Sequence, residues 1–482
     1  MAVAQVEPPI AATPRNLAAT RPFINIKSKP IHVDLISLCY DFTKTQSRRG
    51  IRLEPRRPNP DDSLNLQSTM KTILLSGITV ITLLLSTSLE NTRADDWPQW
   101  RGSQRNGISQ EKGLLQSWPE EGPTLAWRTD GVGAGYSSVS VSDGKIFTLG
   151  DLEDGSYALA LNEKDGSHAW KTRIGEAGGH KKYPGTRSTP TVDGSQVFAL
   201  NQHSDLTCLD AATGKLEWRV NLISDFGGKM MSGWKYSESP LVDGDRVVVT
   251  PGGNEGTVVA LDRKSGKKLW QTSDWTDTAG YSSVVVATFH GTRQYVQLTG
   301  KSLVGLNPDT GAILWKADRP GKTAVITTPV IDGDMIFVTS SYGVGCNGFQ
   351  VSKSGNNWSA DQVYANKEIS NHHGGVILLD GHVFGGSGST FRCVDIQTGE
   401  ARFAERSAGK GATLYADGLF YLRAEHGPVA LIKASPDGYE EISRFDQPDR
   451  SDHKAWPHPV VANGKLYLRD QGLLLCYDVT RK

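Results

Sequence analysis

Eight side chains with binding chemistry recur at one place in this sequence, five to seven residues ahead of a repeated turn: Tyr136, Arg187, Tyr236, Glu238, His373, Lys410, Trp456 and His458, with Tyr281 ahead of a longer fourth turn and His372 beside His373. Arg and Lys suit oxyanions, Glu suits a cation, and the rings supply apolar walls. Brought together, they have the composition of a small-molecule site. The plainer reading is a polar channel that holds water. No catalytic residue is assigned. His372 and His373 are adjacent, and neighbours on an extended chain point to opposite sides. One is expected to line a funnel and the other to pack beneath it, with no metal between them.

The elements that must position these groups are written as a repeat. Asp143-Gly144, Asp193-Gly194, Asp243-Gly244, Asp332-Gly333, Asp380-Gly381 and Asp417-Gly418, with His290-Gly291 and Asn463-Gly464, make turns 37 to 50 residues apart between β-branched runs. Asp-Gly in that setting is a strong hairpin signal. A second turn follows in the better copies, as in CLDAATGKLEW (208–218), so each unit supplies four short antiparallel strands, a propeller blade. The last unit stops after three strands, and PTLAWRTDG (123–131) carries a spare fourth strand. We expect an all-β, eight-bladed propeller closed by that N-terminal strand, which removes exposed sheet edges. Trp127, Trp170, Trp218, Trp270 and Trp315, with Phe403 as a substitute, fall on successive outer strands and are expected to fill the wedges between blades.

The remaining features bound the setting. The segment MKTILLSGITVITLLLSTSLENTRADD, from Met70, has the form of a secretory signal. Residues 1–69 then read as a non-native or disordered leader, 70–94 as the signal and 95–482 as the propeller; a disordered leader before a signal-anchor helix is the alternative. The protein is expected in the periplasm or secreted, as a monomer without stable membrane insertion. From 95 onward 40 basic side chains face 45 acidic ones without a basic run, which argues against nucleic acid. Cys208, Cys393 and Cys476 share one repeat position on different blades and are expected as buried free thiols; Cys39 lies in the leader. The loops 171–185 and 221–235 are long and Gly-rich and should rise over the channel mouth.

The turn motif, in full Leu209-Asp210-Ala211-Ala212-Thr213-Gly214-Lys215-Leu216-Glu217-Trp218, resembles the repeat of the PQQ-like (quinoprotein) propellers. That family includes the outer-membrane assembly lipoprotein BamB and, more distantly, the PQQ-dependent alcohol dehydrogenases. DWPQWRGSQRNGIS (96–109) and NKEISNHHGGV (366–376) resemble segments of exported PQQ-like repeat proteins. The resemblance implies a rigid ring that binds envelope proteins or a small ligand without chemistry or cofactor of its own. Its alternative implication is a small dehydrogenase that oxidises an alcohol or sugar, with PQQ among Arg187 and Lys410 and calcium on Glu238. The adjacent cysteine pair of the dehydrogenases is missing, and so is a lipid-anchoring cysteine near Ala94.

Overall fold

The computed structural model describes residues 96–481. The leader, the signal segment and Cys39 lie outside the described residues. Every regular element among the described residues is a strand, and the strands form eight blades and one small hairpin, Gly179–His180 with Tyr183–Pro184, in the loop before blade 2. The innermost strands are, in chain order, Ser140–Ser142, Thr191–Asp193, Leu241–Asp243, Val285–Phe289, Val330–Asp332, Val376–Leu379, Gly411–Ala416 and Val460–Ala462. Blade 8 begins with Val460–Ala462 and takes its fourth strand from Thr124–Asp130, which pairs antiparallel with Leu473–Asp478. The ring is thus closed by the N-terminal strand, as the unpaired ends of the repeat require.

The eight short turns are of two kinds, although the sequence writes most of them as Asp-Gly. In blades 1, 4, 6, 7 and 8 both loop residues have positive φ, as at Asp143 (51°) and Gly144 (72°), the pattern of a type I′ turn. In blades 2, 3 and 5 the Asp stays in the strand: Asp193 pairs with Gln196, Asp243 with Arg246 and Asp332 with Met335. The loop then starts at Gly, and the register moves by one residue.

The apolar core is divided among the wedges between blades. Phe198, Leu206 and Cys208 of blade 2 pack on Val247, Val259 and Leu261 of blade 3, and the other neighbouring pairs repeat this arrangement. The four described cysteines, Cys208, Cys346, Cys393 and Cys476, are free and buried there.

Outer-strand aromatics clamp most of the wedges. Trp127, Trp170, Trp218 and Trp270 each donate Nε1–H to the carbonyl of Glu163, Ala211, Arg263 and Pro308 respectively, at 3.0, 3.1, 2.8 and 3.0 Å. Each acceptor directly follows the turn Asp or Asn of the next blade. Each indole covers that turn's glycine so closely that a Cβ on Gly214 would lie 2.5 Å from Trp170. Trp315 departs from the pattern: it bonds Gln294 Oε1 of its own blade at 2.7 Å, because the next hairpin, Gly345–Ser354 with Asn357–Asn366, lacks the Asp-x-x-Thr-Gly turn. Tyr364, which the repeat does not mark, takes the clamping position on blade 6, with its hydroxyl on Ile396 O at 2.8 Å and its ring over Gly399. Phe403 has no donor and packs against Tyr439 of blade 7.

Candidate functional site

The segment 96–109 closes one end of the central channel. It begins at the turn side, where Asp143 N donates to Asp96 Oδ2 at 3.1 Å, and then runs across the ring. Trp97 bridges to Val141 of blade 1, and Val192 of blade 2 donates to Pro98 O. Arg105 donates to Ser239 O before blade 3 at 2.6 Å, and Arg101 to Val376 O of blade 6. Ile108–Ser109 then joins blade 7 as a parallel strand beside Tyr415 and Ala416. Both arginines are buried, and burial pulls each guanidinium down to about 10. Backbone carbonyls take Arg101 Nε and Nη2 and both Nη groups of Arg105, while Arg101 Nη1 and Arg105 Nε are buried without a partner. At the inner end Trp100 donates to Thr328 Oγ1 at 3.1 Å and packs on His458 at 4.5 Å, forming a floor.

Above this floor lies a cavity of about 350 Å³, open at the opposite end. Each blade contributes the residue six positions before the end of its innermost strand: Tyr136, Arg187, Ser237, Ser283, Ile326, His373, Lys410 and Trp456. The repeat geometry fixes where the chain turns into the channel; the identity of the residue there is free to vary. Around the ring, the five rim residues from blade 6 to blade 2 are aromatic or cationic, and the three from blade 3 to blade 5 are small or apolar, with Tyr281 and Tyr342 beside them. The two long loops add His180, Tyr183 and Trp234, stacked in a bank whose ring centroids are 4.1 Å apart for His180 and Trp234 and 5.8 Å for Tyr183 and Trp234. This bank continues through Trp456, 4.8 Å from Tyr183, to Tyr136, 4.7 Å from Trp456.

Of the residues expected at the rim, Tyr136, Arg187, Tyr281, His372, His373 and Lys410 line this cavity. Tyr236 and Glu238 do not, and the turn type explains the difference. Because the blade 3 turn starts one residue later, Ser237 and Ser239 face inward, while Tyr236 and Glu238 are buried in the wall. Tyr236 donates to Pro251 O at 2.8 Å, and Glu238 accepts from Thr250 N at 2.7 Å. Burial pushes the Glu238 carboxyl up to about 7. The expectation that His372 and His373 face opposite ways also fails. Residues 370–375 are not a strand, so alternation does not apply, and both imidazoles line the well. Trp456 and His458, which the repeat places ahead of the Asn463-Gly464 turn, also line it, whereas Trp100, Glu425 and Lys454 were missed by sequence. Trp456 stood in the repeat at the same six-residue offset as the others.

The electrostatics centre on Glu425. It accepts from Trp456 Nε1 at 2.8 Å and lies 3.2 Å from Lys410 Nζ, 3.6 Å from Lys454 Nζ and 3.8 Å from His373 Nε2. Burial alone would raise this carboxyl; the donors and cations gathered on it more than offset that and hold it below the usual carboxylate range. Burial keeps the histidines neutral, His372 and His458 at about 3 and His373 also lowered. Tyr342 Oη and His372 Nε2 share a hydrogen bond of 2.8 Å. Arg187 lies over the Tyr136 ring at 5.6 Å and donates to Gly185 O at 3.1 Å. No carboxylate pairs with it among the described residues. Burial lowers its guanidinium, which still remains a cation.

This lining does not fit a calcium-bound quinone. Calcium takes six to eight oxygens, usually with several carboxylates. Glu425 is the one carboxylate in the lining, and it is already held by two lysines. Glu238, expected to hold the ion, is sealed behind the wall. No cluster of three or more His, Cys, Asp or Glu suited to a metal occurs among the described residues.

Known proteins of this architecture match. A protein from Moranella endobia named outer membrane protein assembly factor BamB is 25% identical over 242 residues, 49% of this chain and 57% of the relative. The chain spans about half the length of the first curated relatives it matches. A tetrathionate hydrolase from Acidithiobacillus ferrooxidans is 22% identical over 436 residues, covering 78% of this chain and 80% of the relative. Among solved structures, quinohemoprotein alcohol dehydrogenase from Comamonas testosteroni superposes with a TM-score of 0.57 at 13% identity over 82% of each chain, a likeness of fold. The model of the family described as outer membrane protein assembly factor BamB matches residues 154–405, more than half of the chain, so the chain belongs to that family of PQQ-like propellers.

Proposed function

We propose that this protein is an exported binding module that receives a small molecule in the blind well at the channel mouth, without quinone chemistry. The observation that carries this reading is the convergence of one side chain from every blade on a cavity whose far end Trp100 closes. A channel used only as the axle of a scaffold has no need of a floor or of an aromatic bank supplied by two long loops. The segment from Met70 and the outer-membrane names of the relatives support export to the cell envelope. One relative's name carries a small sulfur oxyanion as substrate, in keeping with a cationic lining.

The second reading, favoured by the family match, is a scaffold for envelope proteins. Native mass spectrometry of protein taken from a periplasmic fraction separates the two. The first reading expects a small adduct that is lost when Trp456 is replaced by Ala. An envelope protein retained in its place, with no small adduct, moves the conclusion to the scaffold. Titration with PQQ and calcium is expected to leave absorbance and melting temperature unchanged.

A further inference from the structure

The charges in the well are not balanced, and their order around the ring is informative. Arg187, Lys410 and Lys454 are three cations facing the single carboxylate Glu425, so these four side chains leave two positive charges in the lining. Cations held in a partly dehydrated cavity are costly unless an anion neutralises them. Arg187 belongs to blade 2, and Lys410 and Lys454 precede the innermost strands of blades 7 and 8. Between these two sets stand Tyr136 and Trp456, the rim residues of blades 1 and 8. The opposite arc, with Ser237, Ser283 and Ile326, carries no charge.

We propose, resting on the reading of the well as a small-molecule site, that its ligand is a small dianion with a flat or elongated body. One anionic end lies on Arg187, the other on the Lys410–Lys454 pair, and the body runs along Trp456 and Tyr136. Arg187 already donates to Gly185 O and Tyr183 O, so its orientation over Tyr136 is set before a ligand arrives. Glu425 holds the two lysines side by side, and it rejects a third anionic group at that end. A monoanion satisfies one end and leaves the other cation unpaired. A cation meets like charge at both ends.

The test measures binding to the full chain by calorimetry and tryptophan fluorescence. The probes are terephthalate, succinate and tetrathionate as dianions, benzoate as a monoanion, terephthalamide as a neutral analogue and p-xylylenediammonium as a dication. At least one dianion is expected to bind about tenfold or more tighter than benzoate, as one further charge-assisted contact requires. Arg187→Gln and Lys410→Gln should each bring that dianion down to the benzoate level, with circular dichroism unchanged. Should one variant misfold, the other reads its own end of the site. Equal affinity for terephthalate and benzoate, or an advantage insensitive to both substitutions, overturns the proposal. Terephthalamide binding as well as terephthalate overturns it too, yet leaves the small-molecule reading standing. Failure of every probe to bind removes both.

Discussion

Replacing Trp127 by Ala tests the ring closure on which the well depends. The indole lies on the closing strand, packs near Tyr467 at 6.1 Å, covers Gly166 and donates to Glu163 O at 3.0 Å, so one side chain joins blade 8 to blade 1. Truncating a core tryptophan costs about 3 to 5 kcal/mol, and the half-buried position of Trp127 places it near the lower end. Unfolding entropy near 2.1 cal/mol/K per residue gives a domain of this size about 0.8 kcal/mol/K, so a loss of about 3 to 4 kcal/mol lowers Tm by about 4 to 5 °C. Trp127→Phe keeps the cover on Gly166 and loses the hydrogen bond, about 1 kcal/mol and hence about 1 °C. Differential scanning calorimetry on the two variants and the parent measures both shifts. Removing residues 96–130 takes away the strap as well as the closing strand, and should expose the edge of Leu473–Asp478 and produce aggregation. A Tm for Trp127→Ala within about 1 °C of the parent, together with a truncated chain that stays monomeric, would refute the closure argument.

Three further outcomes follow from the geometry. Trp100→Ala should open the floor of the well while leaving the ring closed: a crystal structure should show water reaching Arg101, with Tm down by a few degrees, whereas an unchanged floor contradicts the role given to the strap. His458 is buried, with a ring pKa of about 3 against about 6.5 unfolded, so its contribution is fully present above pH 6.5 and is lost as pH falls toward 3, at up to about 1.4 kcal/mol per pH unit. His458→Gln should therefore reduce the slope of unfolding free energy between pH 6.5 and 4 by about one proton in denaturant titrations, and an identical slope means the imidazole is not buried neutral. Gly214→Ala and Gly194→Ala make a matched pair: both positions have positive φ, 72° and 59°, but only at Gly214 does the new Cβ meet a ring. Backbone strain alone should cost about 1 to 2 kcal/mol at Gly194, with about 1 to 3 kcal/mol of overpacking added at Gly214; equal midpoints in urea mean that the Trp170 clamp yields freely.

The sequence by itself determined the architecture, because that architecture follows from local chemistry. A turn that needs a left-handed residue demands Gly, an Asp at its start bonds back to the loop, as Asp210 Oδ1 does to Thr213 N at 2.8 Å, and an aromatic four residues past the Gly has one place to go. Eight hairpin units, five of them with that second turn and its aromatic, with three strands left at one end and one at the other, close in only one way. Where the local signal is absent the prediction lapses, as with Trp315 and Tyr364 on either side of the hairpin that has no Asp-x-x-Thr-Gly turn. The site was readable in part, since the six-residue offset is a property of the repeat. Asp-Gly, however, does not say whether Asp belongs to the strand or to the loop, and that single-residue ambiguity turned Tyr236 and Glu238 toward the well when they belong in the wall. The turn type is chosen by how the whole strand pair packs. The floor and the charge balance were decided by tertiary structure alone: Trp100 meets Thr328 and His458, and Glu425 meets Lys410, His373 and Trp456, through contacts that bring different blades and the strap to one axis. No periodicity along the chain encodes which side chains converge on an axis, because the repeat fixes where each blade enters the channel and packing leaves the residue there free.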